Sequence, residues 1–588
     1  MLNRRLNGRG RMAGSVAVTM ALLGGAAAVT TPAAHADPVA DCAEPAVIDD
    51  LVAGQAVNGL TVVSGTTPVS FTGEVLGVYE DGIAPGIPMV MARIDIAALG
   101  LPRVDGIWQG MSGSPVYTAG GDLIGAVAYG LAYGTTDVAG ITPYADMDDY
   151  LDGQGFAGDR VQVTSRVAKT IAKGSEVTAA QASQGFTELQ VPLGVSGVRS
   201  TRLEKAFTTQ KAREAHYLPR DAYQMAAAPA APSAAVDPDT MMAGGNMAAA
   251  MSYGDVTQGG VGTATSVCDG RVVGFGHPAS FAGSTSMTLH PADVVYVQED
   301  PLGVPFKLAN LGAPAGTVTD DHTTGITGSF GALPHVTDIT STVVYGSRNR
   351  TGSSFVSVPD AAASTAFYQQ LANHDRVLDG IVRGSELVSW TITGVDNGTP
   401  FTLRGADRYA SSSDIAFEAP WDIADTVYFL SSFSGVSIND VTIDGTVVND
   451  WSTWRLSQVQ QRRAGHWVKI TRADAAVARS GKPLALRAVL QNSTGTTTVP
   501  LSFAIPKKAK GHSGMLLVTG GASDWSYGGE AESVAQLKRL LASTVRNDAL
   551  LAQLYIPGRG RGGVDKRVVS EPTDKVVTGE RMVNVMVR

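Results

Sequence analysis

Gly106-Ile107-Trp108-Gln109-Gly110-Met111-Ser112-Gly113-Ser114-Pro115, followed by Leu123-Ile124-Gly125-Ala126-Val127, is the stretch that decides how this chain folds. Gly110 and Gly113 permit backbone angles that other residues resist, so they bracket a tight turn. Pro115 starts a strand, and Leu123–Val127 supplies its hairpin partner across Gly120-Gly121. A serine hydroxyl is a weak nucleophile; it needs a base to take its proton and donors to hold an oxyanion. This turn offers the donors as the backbone amides of Gly110 and Ser112, with Met111 between them. The residues after Ser114 read as strand rather than helix, unlike the nucleophile elbow of an α/β-hydrolase esterase.

Outward from this turn, 588 residues predict two to four domains. Hydrophobic residues make up 44%, while 68 glycines and only 6% aromatics favour short strands and many turns. Residues 1–36 read as a signal peptide: Arg4, Arg5, Arg9 and Arg11, an apolar run from Met12 to Val29, and Ala34-His35-Ala36 as the cleavage site. No later stretch reaches the roughly 20 apolar residues of a spanning helix, so an exported chain with no stable membrane insertion is expected. Without residues 1–36 the chain has 41 basic and 54 acidic residues, a net charge of −13. That argues against nucleic acid as a partner. Cys42 and Cys268 are the two cysteines, and in an exported chain they are expected to pair. The bond would close a loop of over 200 residues and contribute about 4–5 kcal/mol in the chain-entropy model.

Strand-like runs separated by turns fill residues 60–145, and a short helix is expected at Asp146–Leu151. A helix is expected at Arg202–His216, within an insert and linker spanning 166–250 that ends in Ala-, Pro- and Met-rich sequence. Strand patterns resume at Gly259 and run to 346. A mixed α/β region follows at 347–450, then a β-sandwich-like region at 451–510, then a C-terminal tail at 511–588 with one short helix at Ser533–Ser543.

The Ser112 turn resembles the Gly-Asp-Ser-Gly-Gly-Pro motif of the double-barrel serine peptidases. Matching the glycines puts the nucleophile at Ser112 rather than Ser114. The longer block at 106–115, with 123–127 and Gly140-Ile141-Thr142-Pro143, is similar to the SpoIVB-type serine peptidases. Val273-Gly274-Phe275-Gly276-His277-Pro278 resembles that family's histidine segment, and Gly316–Asp321 and Gly325–Gly328 its next strands. The matching blocks cover about 60–150 and 255–335. The resemblance implies a mainly β, chymotrypsin-like double β-barrel unit, with a serine-bearing half at 37–165 and a histidine-bearing half at 251–346. It further implies a Ser–His–Asp triad that cleaves a protein or peptide of the envelope or beyond it, the chain itself included. Here Ser112 precedes His277 by 165 residues, the reverse of the family's order. Triads tolerate any chain order.

His277 is the expected base, with His290 and His322 as weaker alternatives. The resemblance favours an aspartate some 15 residues before the serine, which selects Asp95; Asp105, Asp320 and Asp321 are the alternatives. No cofactor and no metal are expected: Cys-x-x-Cys, His-Glu-x-x-His and Walker-type loops are absent, and Asp146-Met147-Asp148-Asp149 lacks the spacing of a calcium loop. The second reading is a non-catalytic envelope scaffold that keeps the fold as a binding surface.

Overall fold

Alternation of buried and exposed residues builds the first barrel. In β1 (Ala56–Thr61) every second residue, Val57, Gly59 and Thr61, is buried. With β2 (Val69–Ala84), β3 (Ile87–Ile94), β4 (Pro115–Thr118), β5 (Leu123–Leu131) and β6 (Val138–Pro143) it runs in the order β4-β1-β2-β3-β6-β5. β5 pairs back onto β4, so the antiparallel sheet closes and leaves no edge. Phe71, Val90, Trp108, Val116, Ile124 and Ile141 fill it. The structure, a computed structural model, describes residues 43–588 except 102, 149–159, 190–193, 196, 200–201, 203–217, 219–235, 300–303, 524–530 and 559–562. The expected signal peptide, Cys42 and most of the helix expected at Arg202–His216 lie outside the described residues.

All nine residues of β5 are buried. One face lines the barrel; the other meets the second barrel, where a Cβ on Gly276 would lie 2.9 Å from the Cβ atoms of Ala126 and Ala128. Small residues on β5 therefore let the two barrels approach closely. Two short strands, β7 (Arg160–Val161) and β8 (Phe186–Glu188), continue the sheet beyond β5, and β9 (Gly194–Val195) pairs with the second barrel.

The second barrel holds β10 (Asn246–Gly254), β11 (Gln258–Cys268), β12 (Arg271–Gly274), β13 (Gly283–Gln298), β15 (Gly316–His322) and β16 (Gly325–Phe330), with β14 (Phe306–Leu311) paired to the far half of β13. The order β10-β11-β12-β16-β15-β13 closes through β13–β10, again antiparallel. Two closed six-stranded antiparallel barrels make a chymotrypsin-like double barrel, the serine barrel first in the chain. One expectation fails here. Residues 246–250, read as the end of a linker, form the closing strand. Met247, Ala248, Ala249 and Ala250 have weak strand propensity, but they are small or adaptable enough to be fully enclosed between β11 and β13.

The mixed α/β region begins earlier than expected, at β17 (Thr337–Tyr345), and includes β18 (Arg348–Val356), β19 (Gly384–Asp396), β20 (Thr399–Ser411) and β21 (Val436–Val448). β18 pairs with β10, so this sheet grows directly out of the second barrel. Helices Ala362–Leu378 and Pro420–Ser431 pack on it through Phe367, Leu371, Trp421 and Val427. The short helix expected at Asp146–Leu151 lies at Tyr144–Asp148.

The C-terminal region corrects the sequence reading most. The strands expected at 451–510 are present as β22 (Trp454–Arg463), β23 (His466–Ile470), β24 (Ala476–Ala478), β25 (Pro483–Gln491) and β26 (Thr496–Ala504). The stretch expected to be a tail is structured. β27 (Ser513–Gly520), β28 (Leu550–Ile556), β29 (Val564–Val569) and β31 (Glu580–Val587) form a second sheet with β24, and β30 (Val577–Thr578) joins β22. One core, including Leu486, Phe503, Leu516 and Leu554, lies between the two sheets. A chain ended after residue 510 should therefore lose the whole sandwich: limited proteolysis should cut freely within 451–510. Met515→Thr, at an exposed position of β27, should leave the protease-resistant fragment intact.

Candidate functional site

The serine turn sits at the seam of the barrels. Gly110 and Gly113 have φ of +86° and +92°, the left-handed region that glycine alone enters without strain. A Cβ on Gly113 would lie 1.8 Å from the Thr263 carbonyl oxygen, so no other residue fits. β11 grips the turn by its carbonyls: the Thr263 amide donates to Ser112 O at 2.8 Å, Thr263 Oγ1 to Gly110 O at 3.1 Å, and Thr265 Oγ1 to Gly113 O at 2.8 Å.

The amides of Gly110 and Ser112 are set by two other carbonyls of the turn. Gln109 O accepts from the Lys307 amide at 3.0 Å, and Met111 O accepts from the Ser114 amide at 2.9 Å. In a trans peptide the N–H points opposite to its own carbonyl, so the Gly110 and Ser112 amides face away from those contacts. Their neighbours on Gln109, Met111, Gly113 and Ser114 all donate to backbone carbonyls, while among the described residues these two donate to none. The pair expected to hold an oxyanion is the unpaired pair on this turn.

His277 reaches the same point from the second barrel. The chain leaves β12 through Phe275 (φ +69°) and Gly276 (φ +74°). A left-handed phenylalanine costs about 1–3 kcal/mol; here its ring is fully buried and Thr142 Oγ1 donates to the Gly276 carbonyl at 2.5 Å. The turn sets His277 Nε2 2.9 Å from Ser112 Oγ, with Nδ1 2.7 Å from the Pro278 carbonyl. That carbonyl only accepts, so Nδ1 carries the proton and Nε2 is the basic nitrogen. Burial pushes His277 down to about 4, so the imidazole is neutral at pH 7 and able to accept the Ser112 proton.

The structure brings Ser112 and His277 together and leaves Asp95 out, which corrects the triad expectation. Asp95 is exposed, accepts from the Ala98 amide at 3.2 Å, and lines with Asp105 a cleft of about 1090 Å³ that neither Ser112 nor His277 touches. Asp320 pairs locally with Thr319. Asp321, one of the alternatives, is the carboxylate nearest in role. It is fully buried and accepts from the amides of Ala279, Ser280 and Ala282 and from Ser280 Oγ, at 2.7–3.1 Å. It therefore fixes the loop that carries the Pro278 carbonyl, and its charge raises the His277 pKa against the burial effect. It is a positioning residue, with the carbonyl rather than a carboxylate on Nδ1.

Ser114 is held by hydroxyls, donating to Thr61 Oγ1 at 2.9 Å. His290 is tied to Gly312 O and Thr288 Oγ1, and His322 lies beside Asp320. Among the described residues no cluster of three His, Cys, Asp or Glu side chains could hold a metal. Cys268, at the end of β11, is not a free thiol; its expected partner lies outside the described residues.

Two neighbours were not foreseen. Lys307, fully buried, donates to Asn246 Oδ1 at 3.0 Å and Thr263 Oγ1 at 2.9 Å, bracing the threonine that holds Gly110; burial pushes it down to about 7. Leu189, just after β8, has its carbonyl oxygen 3.1 Å from Ser112 Oγ. Neither position carries a motif that sequence could reveal. Comparisons with family models, curated proteins and solved structures give no match.

The His277 ring should titrate near pH 4 by NMR, well below the ordinary 6.5. In Asp321→Asn it should fall further, because the charge that raises it is gone, while Asp95→Asn leaves it unchanged. A ring protonated at pH 6 in the folded protein would contradict this arrangement.

Proposed function

We propose that the chain is an exported serine endopeptidase of the SpoIVB type, cleaving protein or peptide substrates by acyl transfer to water. The observation that carries this reading is the 2.9 Å contact between Ser112 Oγ and His277 Nε2 at the seam of the two barrels, on a turn whose Gly110 and Ser112 amides are unpaired among the described residues. Ser112 attacks the scissile carbonyl, Nε2 takes its proton, and the two amides hold the oxyanion. Nδ1–H stays on the Pro278 carbonyl, and Asp321 supplies a negative field to the imidazolium through the loop it orders. Export rests on residues 1–36, and the Cys42–Cys268 bond on the cysteine count. Among the described residues no helix is long and apolar enough to cross a membrane.

One observation favours the second reading, a scaffold without turnover. Ser112 is 0% and His277 1% exposed, so a substrate must displace whatever covers them.

A fluorophosphonate probe separates the two. The endopeptidase should be labelled at Ser112; labelling should vanish in Ser112→Ala, persist in Ser114→Ala, and fall by at least about 100-fold in His277→Ala, the usual scale of a lost general base. A folded wild type that takes no label under any condition would support the scaffold.

A further inference from the structure

The strand that covers Ser112 is part of the chain, and it lies as a bound peptide would. β8 pairs antiparallel with β5: Leu131 opposite Phe186, Gly130 opposite Thr187, Tyr129 opposite Glu188. The register continues one residue further, where the Leu189 amide donates to the Ala128 carbonyl at 2.9 Å. That places the Leu189 carbonyl on the nucleophile, 3.1 Å from Ser112 Oγ. Adding a strand to a sheet edge is a common way to bind an extended peptide, with backbone bonds for affinity and pockets for side chains.

The Leu189 side chain has such a pocket. It is buried with Ile107, Trp108 and Met111 from the serine turn. A Cβ on Gly130 would lie 3.1 Å from Leu189 Cδ2 and 3.3 Å from Ile107 Cδ1, so the glycine leaves the space the leucine fills.

The hydrogen bonding at this point is one proton short. Ser112 has a single hydroxyl proton and two acceptors, His277 Nε2 and Leu189 O. The Gly110 and Ser112 amides on the same turn have no acceptor among the described residues. A carbonyl oxygen brought to those amides would give them an acceptor and leave the Ser112 proton to Nε2.

We propose that residues 186–189 are a substrate strand bound in cis, and that Ser112 cleaves the peptide bond following Leu189, with Gln190 as the leaving amine. Only the acyl side of this bond lies within the described residues. The proposal rests on the endopeptidase reading and extends it: the site reads a leucine on the acyl side, and the chain is its own first substrate. The Ser112 Oγ–C bond forms to the Leu189 carbonyl as the proton moves to Nε2. The C–N bond to Gln190 breaks, and His277 returns the proton to the new amine. Water, activated by His277, then hydrolyses the ester and leaves a Leu189 carboxylate and free Ser112.

The test uses the full chain, followed by intact mass and N-terminal sequencing. Wild type and Leu189→Met should yield a fragment beginning at Gln190, at a rate independent of protein concentration. Ser112→Ala should stay whole, and Leu189→Asp should cut at least tenfold more slowly. Because Leu189→Asp disturbs a buried position, a second arm adds coumarin amides of Phe-Thr-Glu-Leu and Phe-Thr-Glu-Asp to the processed wild type, with the first turned over at least tenfold faster. A wild type that labels with fluorophosphonate at Ser112 yet stays intact, or cuts elsewhere, overturns the proposal and leaves the endopeptidase reading standing. An intact chain that labels only in Leu189→Asp makes the strand an inhibitor, which also overturns it. A chain that neither cuts nor labels overturns both readings.

Discussion

The grip of β11 on the carbonyls of the serine turn is the contact on which the site depends. Thr263 and Thr265 hold Ser112 O, Gly110 O and Gly113 O from the second barrel, and with Lys307 on Gln109 O they fix which way each peptide points. A peptide plane has one degree of choice here: with its carbonyl held, its amide must face the other way. The Gly110 amide is turned by the Lys307 amide on Gln109 O and the Ser112 amide by the turn's own bond from Ser114 to Met111 O, while β11 fixes the planes between and after them. The seam between the barrels explains why chain order is immaterial. β4 and β12 deliver Ser112 and His277 to one point, and nothing in that geometry records which strand came first.

The histidine shows how a base is prepared without a carboxylate on it. A carbonyl on Nδ1 fixes the tautomer as a carboxylate would, but it brings no charge to stabilise the imidazolium. Asp321 supplies the charge from one step away, through four donors on the loop that follows Pro278. Phe275 in the left-handed region is the local strain this requires. Burial of its ring in the second-barrel core with Met247, Ala264 and Leu289, and the Phe275 amide on Thr263 O of β11, offset that strain and hold the histidine in place.

Glycine spacing made the Ser112 turn and the His277 turn legible, because left-handed backbone at Gly110, Gly113 and Gly276 leaves a mark in sequence. Alternating strands made the barrels legible for the same kind of reason. The acid was not legible: Asp95 and Asp321 differ in burial and in the amides that surround them, and neither property is local in sequence. Strand β10 was missed because Met-Ala-Ala-Ala-Met follows the packing of a crowded barrel interior rather than strand propensity. The second sheet of the sandwich was missed because β24 and β27 pair with strands far along the chain, β31 and β28, so those pairings are set by distant partners rather than by turn signals. Leu189 carries no signal at all, since its place is set by its partner Ala128 across the sheet.

Burial of ionisable groups also makes stability depend on pH. Lys307, His277 and His290 are fully buried, and burial pushes Lys307 down to about 7 and both histidines down to about 4. Each is depressed below its unfolded value, so the unfolded chain binds its proton first as the pH falls. Stability contributed by the uncharged lysine is lost between about 10.5 and about 7, and that from the histidines between about 6.5 and about 4. Lys307 braces Thr263, which holds Gly110, while His277 faces Ser112 directly. The lysine-linked loss above about 7 and the protonation of the base near about 4 are thus two effects of one fact, that burial disfavours the charged forms of Lys307 and His277.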